Sequence, residues 1–231
     1  MLEAHNLYSF YGKSPILQDL NVKVNQGSFT CVMGRNGVGK TTLLRTIMGL
    51  TDTTSGSMRF EGKDLSSLPT HKRATLGIGY IPQGREVIPR FTVRENIIMG
   101  TYARTDGKRT LPHHILELFP ILKEFMNRRG GDLSGGQQQQ LAIARALAMD
   151  PKILLLDEPT EGIQPNIVKD IEDVLVRLNR EFGITIVLVD HNVKYARKVA
   201  DQFIVLDKGR ISVQGGPEDL TSDVVDKYLT F

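Results

Sequence analysis

Short apolar runs recur along this chain with the lengths of buried strands, and longer stretches between them carry helical spacing. Ser28 to Met33, Ile78 to Ile81, Ile153 to Leu156 and Ile184 to Val189 are each too short for a core helix and rich in β-branched or aliphatic residues. The pattern predicts strands there, the later two buried on both faces as in a parallel sheet. Asn21 to Val24 and Ser57 to Phe60, the second ending at the turn Glu61-Gly62, add shorter β-like runs near the start. Phe203 to Leu206 and Arg210 to Gln214 flank Asp207-Lys208-Gly209 and predict a hairpin. Helices are expected over Thr41 to Leu50, Ile167 to Phe182 and Gln138 to Met149.

The middle of the chain has its own punctuation. Thr92-Val93-Arg94-Glu95 fits a capping box, because Thr92 can accept an early backbone N–H while Glu95 reaches back, and predicts a helix to about Tyr102. Pro112 and Pro120 bracket another short helix, and Gly130-Gly131 breaks the chain before Leu133. Residues 84–149 therefore read as an inserted helical subdomain within one domain spanning 1–231. Gln137 to Gln140 reads as a polar helix face.

Composition narrows the class. The chain has 231 residues, 40% hydrophobic and 24% charged, enough for one large α/β domain. Its formal charge is +3, but Lys and Arg alternate with acids instead of forming a run, which argues against nucleic acid as a partner. The single cysteine, Cys31, has no partner for a disulfide within the chain and fits a reduced compartment. No apolar run is long enough to cross a bilayer, and the start lacks the pattern of a signal peptide.

Two glycine-rich segments carry the chemistry. Gly34-Arg35-Asn36-Gly37-Val38-Gly39-Lys40-Thr41 fits G-x-x-x-x-G-K-[ST] between a predicted strand and helix, the context in which backbone N–H groups turn toward phosphate oxygens. Lys40 is placed to reach β- and γ-phosphates, and the Thr41 hydroxyl to coordinate Mg²⁺. Leu133-Ser134-Gly135-Gly136-Gln137 begins a second helix and forms a second anion-seeking nest. One triphosphate needs only one such loop, so the second requires another reason. Asp157 and Glu158 end a buried strand, where one carboxylate can join a metal shell and the other orient water. His191 and Gln83 likewise follow apolar runs. His191 can contact a γ-phosphate, and the Gln83 amide can touch Mg²⁺ or water.

With these segments the chain resembles the ATP-binding cassette (ABC) family along its whole length. Gly34 to Thr42 corresponds to the Walker A loop, Lys152 to Glu158 to Walker B, Leu133 to Gln137 to the signature motif, Gln83 to the Q-loop and His191 to the switch histidine. The resemblance implies a P-loop NTPase fold with a RecA-like core, an N-terminal antiparallel β subdomain and a helical signature subdomain. It implies ATP and Mg²⁺ as cofactors. Nucleotide contacts would come from Tyr11 under the adenine, from Gly34, Arg35, Asn36, Gly37, Val38, Gly39, Lys40, Thr41 and Thr42, and from Ser134, Gly135, Gly136 and Gln137. Thr41, Gln83 and Asp157 would face the metal, and Glu158, His191 and Gln83 would serve catalysis.

The resemblance also explains the two nests: paired cassettes lie head to tail, each ATP held between one Walker A loop and the other chain's signature. Expected partners are a second ATPase subunit, transmembrane permease subunits and an extracytoplasmic substrate-binding protein, with the chain peripheral at the cytoplasmic side of the inner membrane. Glu161-Gly162-Ile163-Gln164-Pro165 departs from the usual Ser-Ala-Leu-Asp, Gln164 being nearest the place of the D-loop aspartate. That departure, with Gly84-Arg85-Glu86, is similar to the branched-chain amino acid and urea uptake branch, and the wording of Thr160 to Pro165 and Ser134 to Ala142 resembles most the smaller ATPase subunit of urea importers, which points first to urea. A branched-chain amino acid importer is the alternative; a soluble cassette working without a transporter is the rival of another class.

Overall fold

The computed structural model describes residues 1–230; Phe231, the last residue of the expected domain, lies outside them. Along the chain, β1 (Leu2–Tyr11), β2 (Ser14–Val24) and β3 (Phe29–Met33) precede α1 (Lys40–Met48). Then come β4 (Thr53–Phe60), β5 (Lys63–Asp64), α2 (Thr70–Thr75) and β6 (Ile78–Ile81). The middle holds α3 (Val93–Gly100), α4 (His113–Leu118), α5 (Pro120–Glu124) and α6 (Gly135–Leu147). After β7 (Ile153–Asp157) come α7 (Pro165–Arg180), β8 (Thr185–Val189), α8 (Val193–Val199), β9 (Gln202–Asp207), β10 (Arg210–Gly215) and α9 (Ser222–Tyr228).

The chain divides into two compact units, Met1–Arg73 with Thr185–Phe231, and Ala74–Ile184. In the first, β2-β1-β4-β5 form an antiparallel sheet, while β3 lies parallel to β8 on one side and β9 on the other, with β10 closing the edge antiparallel to β9. Every residue of β3 and β8 is buried, as their unbroken apolar runs require. Behind the sheet, α1 buries Leu43, Leu44 and Ile47. Its C-terminal end is fixed by Arg73, a 4% exposed guanidinium donating to the carbonyls of Thr46 and Ile47. Gly49 N also donates to Thr46 O, so the buried cation adds to the satisfaction of these C-terminal carbonyls and complements the helix dipole.

In the second unit β6 runs parallel to β7, and α3 packs on α6 closely enough that a Cβ on Gly100 would fall 1.9 Å from the Arg145 carbonyl oxygen. That approach requires glycine at this place; α3 ends there and continues as a 3₁₀ turn, Thr101–Ala103, instead of running to Tyr102 as helix. The capping box at Thr92 is present, with Thr92 Oγ1 accepting from Glu95 N and Glu95 Oε2 from Thr92 N. Pro112 and Pro120 yield two helices, α4 and α5, because Phe119 leaves helical geometry and Pro120 starts the next helix at its first turn. Gln139 and Gln140 are 3% and 8% exposed, so the glutamine run is not a solvated face. Among the described residues no helix is long and apolar enough to cross a membrane.

Candidate functional site

The first unit places the Lys40 loop between β3 and α1. Gly34, Gly37 and Gly39 take φ of 143°, 79° and 111°, values that L side chains disfavour. At two of them space forbids a side chain as well: a Cβ on Gly34 would sit 2.4 Å from the Leu206 carbonyl oxygen, and one on Gly39 2.8 Å from Leu17 Cδ2. Gly39 is the N-cap of α1 and offers no side-chain cap, so the first-turn N–H groups face outward, suited to an anion. Lys40 is 5% exposed, its Nζ donating to the carbonyls of Gly34 at 2.9 Å and Arg35 at 3.0 Å. The ammonium is held across the loop that its own sequence forms. Asn36 and Gly37 stand exposed at the crest, while Val38 and Thr42 are buried beneath it and Thr41 is half-buried. The Arg35 guanidinium is drawn to the carbonyls of Lys227 and Thr230, which leaves its backbone as its contribution to the loop.

Two further predicted residues belong to this unit. Val32 of β3 pairs with Val189 of β8, so the Gly34 loop and His191 leave parallel strands at the same sheet edge. Asp190 accepts from Asn192 N at 2.8 Å and Asn192 caps α8, fixing the backbone on either side of the exposed His191. Tyr11 ends β1, half-buried, with the Arg45 guanidinium 5.9 Å from its ring centroid. A cation over one face of the ring supports a planar ligand on it only through the other face.

The second unit holds the carboxylates and the second nest. Ile81 pairs with Leu156, so Gln83 and the Asp157-Glu158 pair also leave neighbouring parallel strands at one end. Asp157 is completely buried; Glu158 turns the chain with φ of 47°. Gln83 Nε2 donates to Glu158 Oε2 at 3.3 Å and to Glu161 Oε2 at 2.7 Å. At the start of α6, Ser134 Oγ accepts from Gln137 N at 3.4 Å and Gln137 Oε1 from Ser134 N at 2.9 Å. This capping box leaves the first-turn N–H groups of Gly135 and Gly136 for an acceptor beyond the helix. The Arg85 guanidinium lies over Gly135, and Gly136 is pressed against Ile167 of α7.

A profile of the ABC transporter family matches residues 17–161, the greater part of the chain, including the Lys40 loop, Gln83, the Ser134 nest and the Asp157-Glu158 pair. The chain belongs to the ABC transporter family. It is 43% identical over 232 residues, covering 99% of both chains, to the high-affinity branched-chain amino acid transport ATP-binding protein BraG of Pseudomonas aeruginosa. The probable branched-chain amino acid transport ATP-binding protein LivF of Archaeoglobus fulgidus is 38% identical over 95% of this chain and 94% of its own length. Among solved structures, a dimeric ATP-binding cassette in a post-hydrolysis state with ADP and phosphate aligns at a TM-score of 0.83 with 29% identity, covering 94% of this chain and 99% of the other. A nucleotide-free cassette aligns at 0.84 with 26% identity, over 98% and 95%.

This cassette therefore has the ABC ATPase fold and is an ATP-hydrolysing enzyme, and ATPase domains of its family act as dimers beside permeases. The sequence did not single out Glu161 as a site residue; its only signal was an acid where many cassettes carry Ser. Arg85 belongs to the branch-specific wording Gly84-Arg85-Glu86, and nothing in that wording places its side chain on the signature glycine. Gln164, nearest the usual aspartate, is the N-cap residue of α7 yet makes no side-chain cap bond.

Proposed function

We propose that this cassette is an ATP-hydrolysing subunit of an importer for branched-chain amino acids, bound peripherally at the cytoplasmic face of the membrane. Its partners are a second ATPase subunit in head-to-tail pairing, permease subunits and an extracytoplasmic substrate-binding protein. The observation that carries the cargo is the 43% identity to BraG across 99% of both chains. The comparisons thus favour branched-chain amino acids over the urea to which the motif wording pointed. That wording lies in the nucleotide machinery, whereas cargo is chosen by other chains.

The residues divide the work by chemistry. Lys40 and the first turn of α1 hold the β- and γ-phosphates, and Tyr11 stacks on adenine. Thr41 in the first unit offers a hydroxyl, and Asp157 and Gln83 in the second offer a carboxylate and an amide oxygen; each is a hard donor of the kind Mg²⁺ takes. The complete burial of Asp157 agrees with this, since a carboxylate withdrawn from water favours a nearby positive charge. When bound, Mg²⁺ would supply positive charge against the negative charge developing during phosphoryl transfer. Glu158 polarises the attacking water, and His191 donates to the γ-phosphate. Ser134 to Gln137 complete the nucleotide site of the partner chain.

The test is uptake in cells lacking the gene, complemented with wild type or Glu158→Gln. Labelled leucine uptake restored by wild type and not by Glu158→Gln is the expected result. Restoration of labelled urea uptake alone would overturn the cargo, and recovery of the chain free of membrane proteins would overturn the transporter.

A further inference from the structure

Gln83, Glu158 and Glu161 form a cluster that the motif roles do not exhaust. Both hydrogen bonds from the Gln83 side chain leave its nitrogen, at 2.7 Å to Glu161 and 3.3 Å to Glu158. A primary amide donates only from nitrogen and accepts only at oxygen. With two carboxylates claiming one end, the other end is oxygen. Reversal would set the amide oxygen against two anions, so the surrounding groups fix this orientation. The shorter, charge-assisted bond goes to Glu161, which takes the larger share of the restraint.

The backbone beside this cluster needs such a restraint. Gly84, Arg85 and Glu86 follow Gln83 with φ of 86°, 71° and 47°, and Glu158 has φ of 47°. Left-handed geometry at three residues with side chains persists only where the surroundings over-determine it. The Gln83–Glu161 bond joins these two loops.

We propose that Glu161 is a positioning residue for Gln83: its carboxylate holds the amide nitrogen, so that Oε1 is the end presented to a divalent cation. Glu158 takes the longer of the two bonds from that nitrogen. This role rests on the metal-facing reading of Gln83, and the test separates the two.

Affinity for a fluorescent ATP analogue is measured at equilibrium with Mg²⁺ and with EDTA, and the ratio is compared among wild type, Gln83→Ala, Glu161→Ala, Glu161→Gln and Gln83→Ala/Glu161→Ala. Glu161→Ala should lower the Mg²⁺ enhancement roughly threefold to tenfold, the scale of one lost orienting hydrogen bond. Glu161→Gln, which retains an acceptor, should restore the enhancement to within about twofold of wild type, and the double variant should equal Gln83→Ala. Thermal unfolding checks that each variant folds; if Glu161→Ala does not, Glu161→Ser takes its place. An impaired Gln83→Ala beside an unimpaired Glu161→Ala would overturn the proposal and leave the Gln83 reading standing. Additive losses would also overturn it, because Glu161 would then act through its own charge. No effect from Gln83→Ala would overturn both.

Discussion

The two glycine-rich loops of this cassette are closed by different means. Around Lys40 the backbone closes the loop: Gly34, Gly37 and Gly39 are left-handed, no side chain caps α1, and the ammonium folds onto the loop carbonyls. At Ser134 side chains do it, through the reciprocal Ser134–Gln137 box, and neither Gly135 nor Gly136 needs positive φ. Glycine supplies conformation in the first loop and room in the second. A backbone cradle with an ammonium at its centre can surround a phosphate unaided, whereas a capped helix end presents only its first turn. On the function proposed above, the first binds its own nucleotide and the second completes a site bound by the partner.

The largest effects should separate these roles. Lys40→Ala removes the ammonium held across the cradle and should weaken ATP binding by more than about 100-fold, roughly 2.7 kcal/mol, in a titration of the isolated chain. Unchanged affinity would mean that the backbone nest alone holds the phosphates. Gly135→Asp puts a carboxylate where the partner's phosphate would arrive. It should fold, because the group its Cβ meets is the Arg85 guanidinium, a movable cation, and an acid in a helix's first turn is favourable. Turnover of the assembled complex should fall by roughly two orders of magnitude. Affinity of the isolated chain should stay within about twofold, a small change on the free-energy scale of binding. A matching loss of affinity would erase the distinction between the loops.

That distinction was only partly legible in the sequence. The Lys40 loop was readable because its glycine spacing, the apolar run before it and the helix after it all demand one geometry. The Ser134 nest was readable as an anion site, but nothing local tells that Gly136 is there for Ile167. The positive φ of Arg85, Glu86 and Glu158 also escaped, because tertiary contacts impose it on residues that do not prefer it. Gln139 and Gln140 misled for a related reason: residue type suggests solvent, while packing of α6 on its neighbours decides burial. The short α9 escaped too, since its buried face is too slight to mark a period and it contains no fully buried residue.

Gly136 tests whether room is the reason for glycine in the second loop. A Cβ there would stand 2.7 Å from Ile167 Cδ1 and 2.8 Å from Cγ2, too close for both branches to remain where they are. Gly136→Ala should destabilise the cassette by about 1–3 kcal/mol in denaturant unfolding, the usual range for overpacking. Ile167→Ala in the same chain should recover part of that loss by clearing both branches. If the double variant is less stable by the sum of the single changes, the close approach is not what excludes a side chain.

The smallest effect should come from the cap itself. Ser134→Ala removes the hydroxyl that accepts from Gln137 N and leaves Gln137 Oε1 still able to accept from Ser134 N, so half of the reciprocal box survives. The expected loss is about 1 kcal/mol of stability, at the centre of the range for N-cap deletions. Ser134→Asp restores an acceptor and should return most of that stability. It also brings a negative charge to the end of α6, so turnover in the complex should stay depressed while the fold recovers. The Lys40 loop permits no such separation, because its cap is Gly39 and contributes nothing but backbone. Recovery of stability and turnover together in Ser134→Asp would mean that the second nest only caps its helix and never meets a phosphate.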